Sequence, residues 1–151
     1  VHVYNIKGYS TLKFNFRGVG QSRGQYDNGL GEQKDVLAAL SFLADMGMQR
    51  IDLAGYSFGA WVNAHAVTQG DSVVENMAMV SPPVGFMDFN AISAMNVLRF
   101  VITGSRDDIA PADAVKKMLP TWNPNARFEI VDGADHFYGG YLGQLESVLS
   151  S

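Results

Sequence analysis

Ser57 stands between Gly55 and Gly59, directly behind the short apolar run Ile51-Asp52-Leu53-Ala54 and ahead of Ala60-Trp61-Val62-Asn63-Ala64-His65-Ala66. A serine at a strand-to-helix joint, flanked by glycines that let the chain turn sharply, suits an exposed nucleophile. A serine hydroxyl attacks poorly until a base removes its proton, so the pattern calls for a histidine and a carboxylate farther along. His136 and Asp107 meet that need, in Gly133-Ala134-Asp135-His136-Phe137 and Gly104-Ser105-Arg106-Asp107-Asp108. In such a set His136 takes the Ser57 proton, Asp107 holds the imidazole tautomer, and the Phe58 backbone N–H faces the oxyanion.

Competing assignments weaken on context. A second G-x-S-x-G occurs around Ser22, but the residues after it, Gly24 to Gly31, favour turns and offer no helix to fix a nucleophile. Of the three histidines, His65 falls inside the helix that follows Ser57 and reads as a packing or surface residue, while His2 lies beside the terminus. Asp107 is preferred to Asp108 as the bracing acid, with Asp108 left open, and Asp135 reads as a turn-forming acid. Trp61, Phe86, Phe137 and Tyr138 are candidates to line an acyl pocket, although such residues more often belong to the core. Gly18-Val19-Gly20 lacks the third glycine and the helix of a dinucleotide fingerprint, and no Walker lysine follows a glycine loop. No zinc or calcium spacing is present, so neither a metal nor a cofactor is expected.

Positioning these side chains requires strands that end on one rim. Strands are predicted at Thr11–Phe16, Ile51–Ala54, Met77–Ser81, Arg99–Thr103 and Arg127–Val131. Helices are predicted at Glu32–Met48, from Ser57 to about Gln69, at Ala112–Leu119 and at Leu142–Leu149. The long glycine-rich stretch Arg17–Gly31 reads as a loop. Alternating strands and helices imply an α/β fold, a mainly parallel sheet covered on both faces, with ligands at the carboxyl ends of its strands. The 151 residues, 47% hydrophobic, suit a single domain over 1–151. A net charge of −4 without a basic cluster argues against nucleic acid or an anionic membrane as partner. No apolar run is long enough to span a bilayer. Zero cysteines exclude disulfides and thiolate chemistry within the chain.

Taken together, Thr11 to Gly24, Gly31-Glu32, Gly55 to Trp61 and Gly133 to Phe137 resemble the small lidless bacterial α/β hydrolases, close to dienelactone hydrolases and the catalytic domain of X-prolyl dipeptidyl peptidases. The order serine, aspartate, histidine is also theirs. The resemblance implies the α/β-hydrolase fold, the triad Ser57, Asp107 and His136, and a structural role for the Arg17–Gly24 loop. Such hydrolases carry earlier strands and a His- and Gly-rich turn supplying a second oxyanion donor. Their absence here implies the carboxyl-terminal portion of a longer chain. Pro82 to Leu98 is too short for a cap, so an open site is expected. The expected function is hydrolysis of small or accessible carboxylic esters, the partner being the small-molecule ester. An amide or peptide hydrolase and an inactive binding module are the alternatives. No signal peptide is visible, and the expected compartment is the cytoplasm; oligomeric state stays open, a homodimer included.

Overall fold

A computed structural model describes residues 1–70 and 73–151. Its helices are α1 (His2–Ile6), α2 (Leu30–Asp45), α3 (Phe58–Val67), α4 (Ala112–Trp122) and α5 (Leu142–Ser150). Its strands are β1 (Ile51–Tyr56), β2 (Val74–Val80), β3 (Leu98–Gly104) and β4 (Arg127–Val131). They form one parallel sheet in the order β1-β2-β3-β4, so all four carboxyl ends share one rim. Register is set by pairs such as Leu53 with Met77, Val80 with Ile102, and Gly104 with Val131.

Alternation along the strands divides the core between the two faces. Met77, Met79 and Val101 pack with Val36 and Leu40 of α2, Ala60 and Ala64 of α3, and Val115 and Trp122 of α4. Val80, Ile102 and Val131 pack on the other side with Leu145, Val148 and Leu149 of α5. Each large apolar side chain so buried contributes about 1.5–3 kcal/mol, which is why the central strands read as nearly continuous apolar runs. The small residues of α3 let that helix lie close against β1.

The loop ahead of α2 is fastened by charge. Glu32 is buried, and its carboxylate accepts the N–H groups of Asp27 at 3.0 Å and Gly29 at 2.8 Å. Burial alone would raise this carboxyl, but those backbone donors outweigh it and hold it below the usual range. Arg17 grips Asp35 through Nη2 at 2.8 Å, Nε at 3.2 Å and its own amide at 2.9 Å. A side chain at Gly31 would run into the Arg17 guanidinium, which explains the Gly31-Glu32 pair in the sequence. Gly47 ends α2 at φ 83°; its N–H reaches Ala44 O at 2.8 Å, and the Met48 N–H reaches Leu43 O at 3.1 Å.

Two expectations differ from the structure. Thr11–Phe16 is not a strand: it carries no ladder, and Leu12 and Phe14 stand exposed. A strand exists only by pairing, and among the described residues none lies beside this segment, so its alternating pattern has nothing to bond. Phe16 alone turns inward, against Phe58. Second, α4 runs past Pro120 to Trp122; a proline in the last turn forfeits one hydrogen bond, and the Trp122 ring beyond it is fully buried. The opening residues, to which the sequence reading assigned no element, form α1, which lies against α5.

Candidate active site

The turn after β1 holds Ser57 in a backbone state that serine rarely adopts, φ 52° and ψ −121°. Its N–H donates to Val80 O at 2.9 Å, anchoring the turn to the end of β2. Its carbonyl accepts the Ala60 N–H at 2.9 Å, so α3 starts immediately. Gly55 is required by this close return: a Cβ there would sit 2.7 Å from Ala60 N and 2.6 Å from Asn63 Nδ2. At Gly59 a Cβ would meet open space. The flanking glycines therefore differ, and only Gly55 is demanded by contact with the described residues.

Asp107 lies in the loop after β3, almost wholly buried. Its Oδ1 accepts the N–H groups of Ile109 at 3.0 Å and Ala110 at 2.7 Å. The nearby Thr103 hydroxyl gives its single proton to Ala110 O at 2.6 Å, and its 3.4 Å approach to Asp107 Oδ2 is long. Both carboxylate oxygens face His136 Nδ1, at 3.0 and 2.9 Å. A carboxylate can only accept, so Nδ1 carries the proton and Nε2 offers its lone pair. Ser57 Oγ lies 2.8 Å from that Nε2. The alcohol, imidazole and carboxylate are thus brought together from the ends of β1, β3 and β4.

The loops carrying Asp107 and His136 are stitched to each other. Arg106 N–H donates to Ala134 O at 2.9 Å and Ser105 N–H to Val131 O at 3.0 Å. Ser105 Oγ donates to Asp132 Oδ1 at 3.0 Å and accepts the Gly133 N–H at 2.7 Å. A side chain on Gly104 would collide with Ala134 O. Asp108 is exposed, and Asp135 accepts the Phe137 N–H at 3.0 Å, a local turn. Ser22 Oγ donates to Asn15 O at 2.8 Å. His65 packs edge-on to Trp61 at 4.5 Å, and burial pushes its imidazole down, with Asp88 opposing. His2 is exposed on α1. Among the described residues no cluster of His, Asp or Glu could hold a metal ion, and no helix is long and apolar enough to cross a membrane.

No protein-family model matches the chain. An uncharacterized protein of Rickettsia prowazekii is 36% identical over 141 residues, which is 87% of this chain and 59% of that protein. An alpha-beta serine hydrolase homologue from Coxiella burnetii is 34% identical with a TM-score of 0.81, over 90% of this chain and 65% of that one. A serine hydrolase without a lid from Xanthomonas campestris is 32% identical with a TM-score of 0.78, over 89% of this chain and 61% of that one. The chain has the α/β-hydrolase fold. It is similar to the small lidless bacterial members and spans about three fifths of the length of these relatives.

Within this α/β-hydrolase fold the four expected pocket residues part company. Phe137 is exposed and stands edge-on to His136 at 5.5 Å, at the site. Phe86 is exposed and lines a shallow concavity of about 300 Å³ with Val84, Met87 and Met118, whose lining includes none of Ser57, Asp107 and His136. Trp61 is half-buried, stacked on Phe58 at 5.9 Å, and its Nε1 donates to Asp88 O at 2.8 Å, so it braces the helical layer. Tyr138 is a correction: it is buried in the core, and its hydroxyl meets Ser81 Oγ at 2.8 Å. Burial pushes that phenol up to about 12, the Ser81 bond opposing. Sequence reasoning also missed Tyr56, whose hydroxyl donates to His136 O at 2.9 Å. Its position inside the serine motif, at the end of a strand, was the available signal.

Proposed function

We propose that the chain is a serine hydrolase that cleaves small or accessible carboxylic esters through an acyl-enzyme. One observation carries this: a continuous relay from Ser57 Oγ to His136 Nε2 at 2.8 Å and from His136 Nδ1 to Asp107 at 2.9 Å. His136 Nε2 takes the hydroxyl proton as Ser57 Oγ attacks the ester carbonyl carbon. The tetrahedral oxyanion is stabilised by the Phe58 N–H, the first amide of α3, which has no acceptor within its own helix. Asp107 holds the imidazolium while His136 returns the proton to the departing alkoxide oxygen. Water, deprotonated by the same Nε2, then attacks the acyl carbon, releasing the acid and restoring Ser57. Similarity to serine hydrolase homologues supports the same reading, and the exposed face beside His136 suits an accessible acyl group better than a long buried one.

A fluorophosphonate probe read by intact mass tests it. Wild type and Ser22→Ala are expected to gain one adduct and Ser57→Ala none. Folded wild type that gains no adduct, or Ser57→Ala that still gains one, refutes the proposal; the former outcome would favour an inactive binding module. Comparing a matched ester and anilide then separates esterase from amidase preference.

A further inference from the structure

Among the described residues, three of the four non-glycine positions with positive φ lie at the rim that carries the triad: Ser57 at 52°, Ser81 at 47° and Tyr138 at 55°. Such backbone states are strained and persist only where surroundings hold them. Ser57 is explained by its turn. Ser81 and Tyr138 are 57 residues apart, both buried, and joined hydroxyl to hydroxyl at 2.8 Å.

We propose that the Ser81–Tyr138 pair is a positioning device that sets His136 in register with Ser57. The inference rests on the serine-hydrolase reading and adds residues that touch neither substrate nor reacting atoms. Ser81 is where the three loops meet. The carbonyl just before it, Val80 O, holds the Ser57 N–H at 2.9 Å. Its own N–H donates to Ile102 O at 2.7 Å, on the strand leading to Asp107. Its side chain holds Tyr138, two residues beyond His136, in a turn closed by Tyr138 N–H to Asp135 O at 3.2 Å. Shifting Ser81 therefore moves all three references at once. Tyr56 adds a tether to His136 O from the solvent side, but it is half exposed and water can replace its bond. The buried pair has no such substitute.

Tyr138→Phe and Ser81→Ala each remove one hydroxyl and little volume, and Ser81→Gly also relieves the positive φ. On a small activated ester, kcat of Tyr138→Phe and Ser81→Ala is expected to fall about ten- to a hundredfold with KM unchanged. The double variant should lose no more than either single one, and Tyr56→Phe should lose less. Unchanged kcat, or a raised KM at constant kcat, overturns the proposal. A second readout needs no turnover. In protein carrying ¹⁵N-histidine, the His136 Nδ1–H resonance, assigned by its loss in His136→Ala, should shift or broaden in both single variants. An unchanged resonance in both also overturns it. Absence of fluorophosphonate labelling in wild type would instead refute the hydrolase reading, and the resonance would still decide the positioning role.

Discussion

Two amides, Ile109 and Ala110, fix one oxygen of Asp107, and that geometry decides which nitrogen of His136 bears hydrogen. Asp107→Asn is nearly isosteric, but an amide presents an NH₂ group to either Nδ1 or the two backbone donors. With the NH₂ toward Nδ1, the imidazole is driven to protonate Nε2 and can no longer accept from Ser57. The expected loss in kcat is about 10⁴-fold with KM little changed, measured on an activated ester; a loss under tenfold would mean that Asp107 does not set the tautomer. Asp108→Asn, exposed and outside this network, serves as the control and should keep full activity. Sequence order and strand-end placement raised Asp107 above its neighbour but left Asp108 open. What separates the two is the tight Asp107-to-Ala110 turn, visible only once the backbone is closed. Tyr138 stayed a pocket candidate beside its commoner place in the core for a similar reason: its buried partner, Ser81, is distant in the chain.

At the level of elements, the two glycines around Ser57 have different work. Gly55 ends β1 where α3 turns back over it, and an added methyl would press on backbone atoms at 2.7 Å that cannot move aside as a flexible side chain could. Gly55→Ala should cost about 2–3 kcal/mol, lowering Tm by roughly 5–10 °C in a calorimetric scan. Gly59 lies in the first turn of α3 with open space at its Cβ. Gly59→Ala should hold or slightly raise Tm, since alanine is the better helix former. Equal Tm losses in both would show the asymmetry to be wrong. β1, β3 and β4 were legible because apolar runs bounded by turn residues carry their own signal, and α2 because Val36 and Leu40 recur on one face. Thr11–Phe16 was not, because alternation reports a suitable strand and not the presence of a neighbour to pair with. The fate of that segment depends on hydrogen-bond partners, which local pattern does not encode.

Across the whole molecule, stability should fall with acid in two separate windows, because two kinds of group bind protons less readily folded than unfolded. His65 is pushed down by burial against Trp61, with Asp88 pulling the other way and losing. The unfolded chain therefore takes up this proton first. Its stabilising contribution is complete above the unfolded value of about 6.5 and is lost as pH falls from there through the folded value. Asp35 is held below its ordinary range by the Arg17 guanidinium, and Glu32 by backbone donors that outweigh its burial. Their contributions are complete above about 4 and vanish only as pH falls through lower values. Tm measured from pH 8 to pH 3 should thus decline gently below neutrality and steeply below pH 4. His65→Leu should flatten the upper decline and leave the lower one intact, whereas Asp35→Asn should weaken the lower and leave the upper. If His65→Leu retains the full slope between pH 7 and pH 5, the acid sensitivity near neutrality arises elsewhere, and the helical layer built on Trp61 and α3 is not its source.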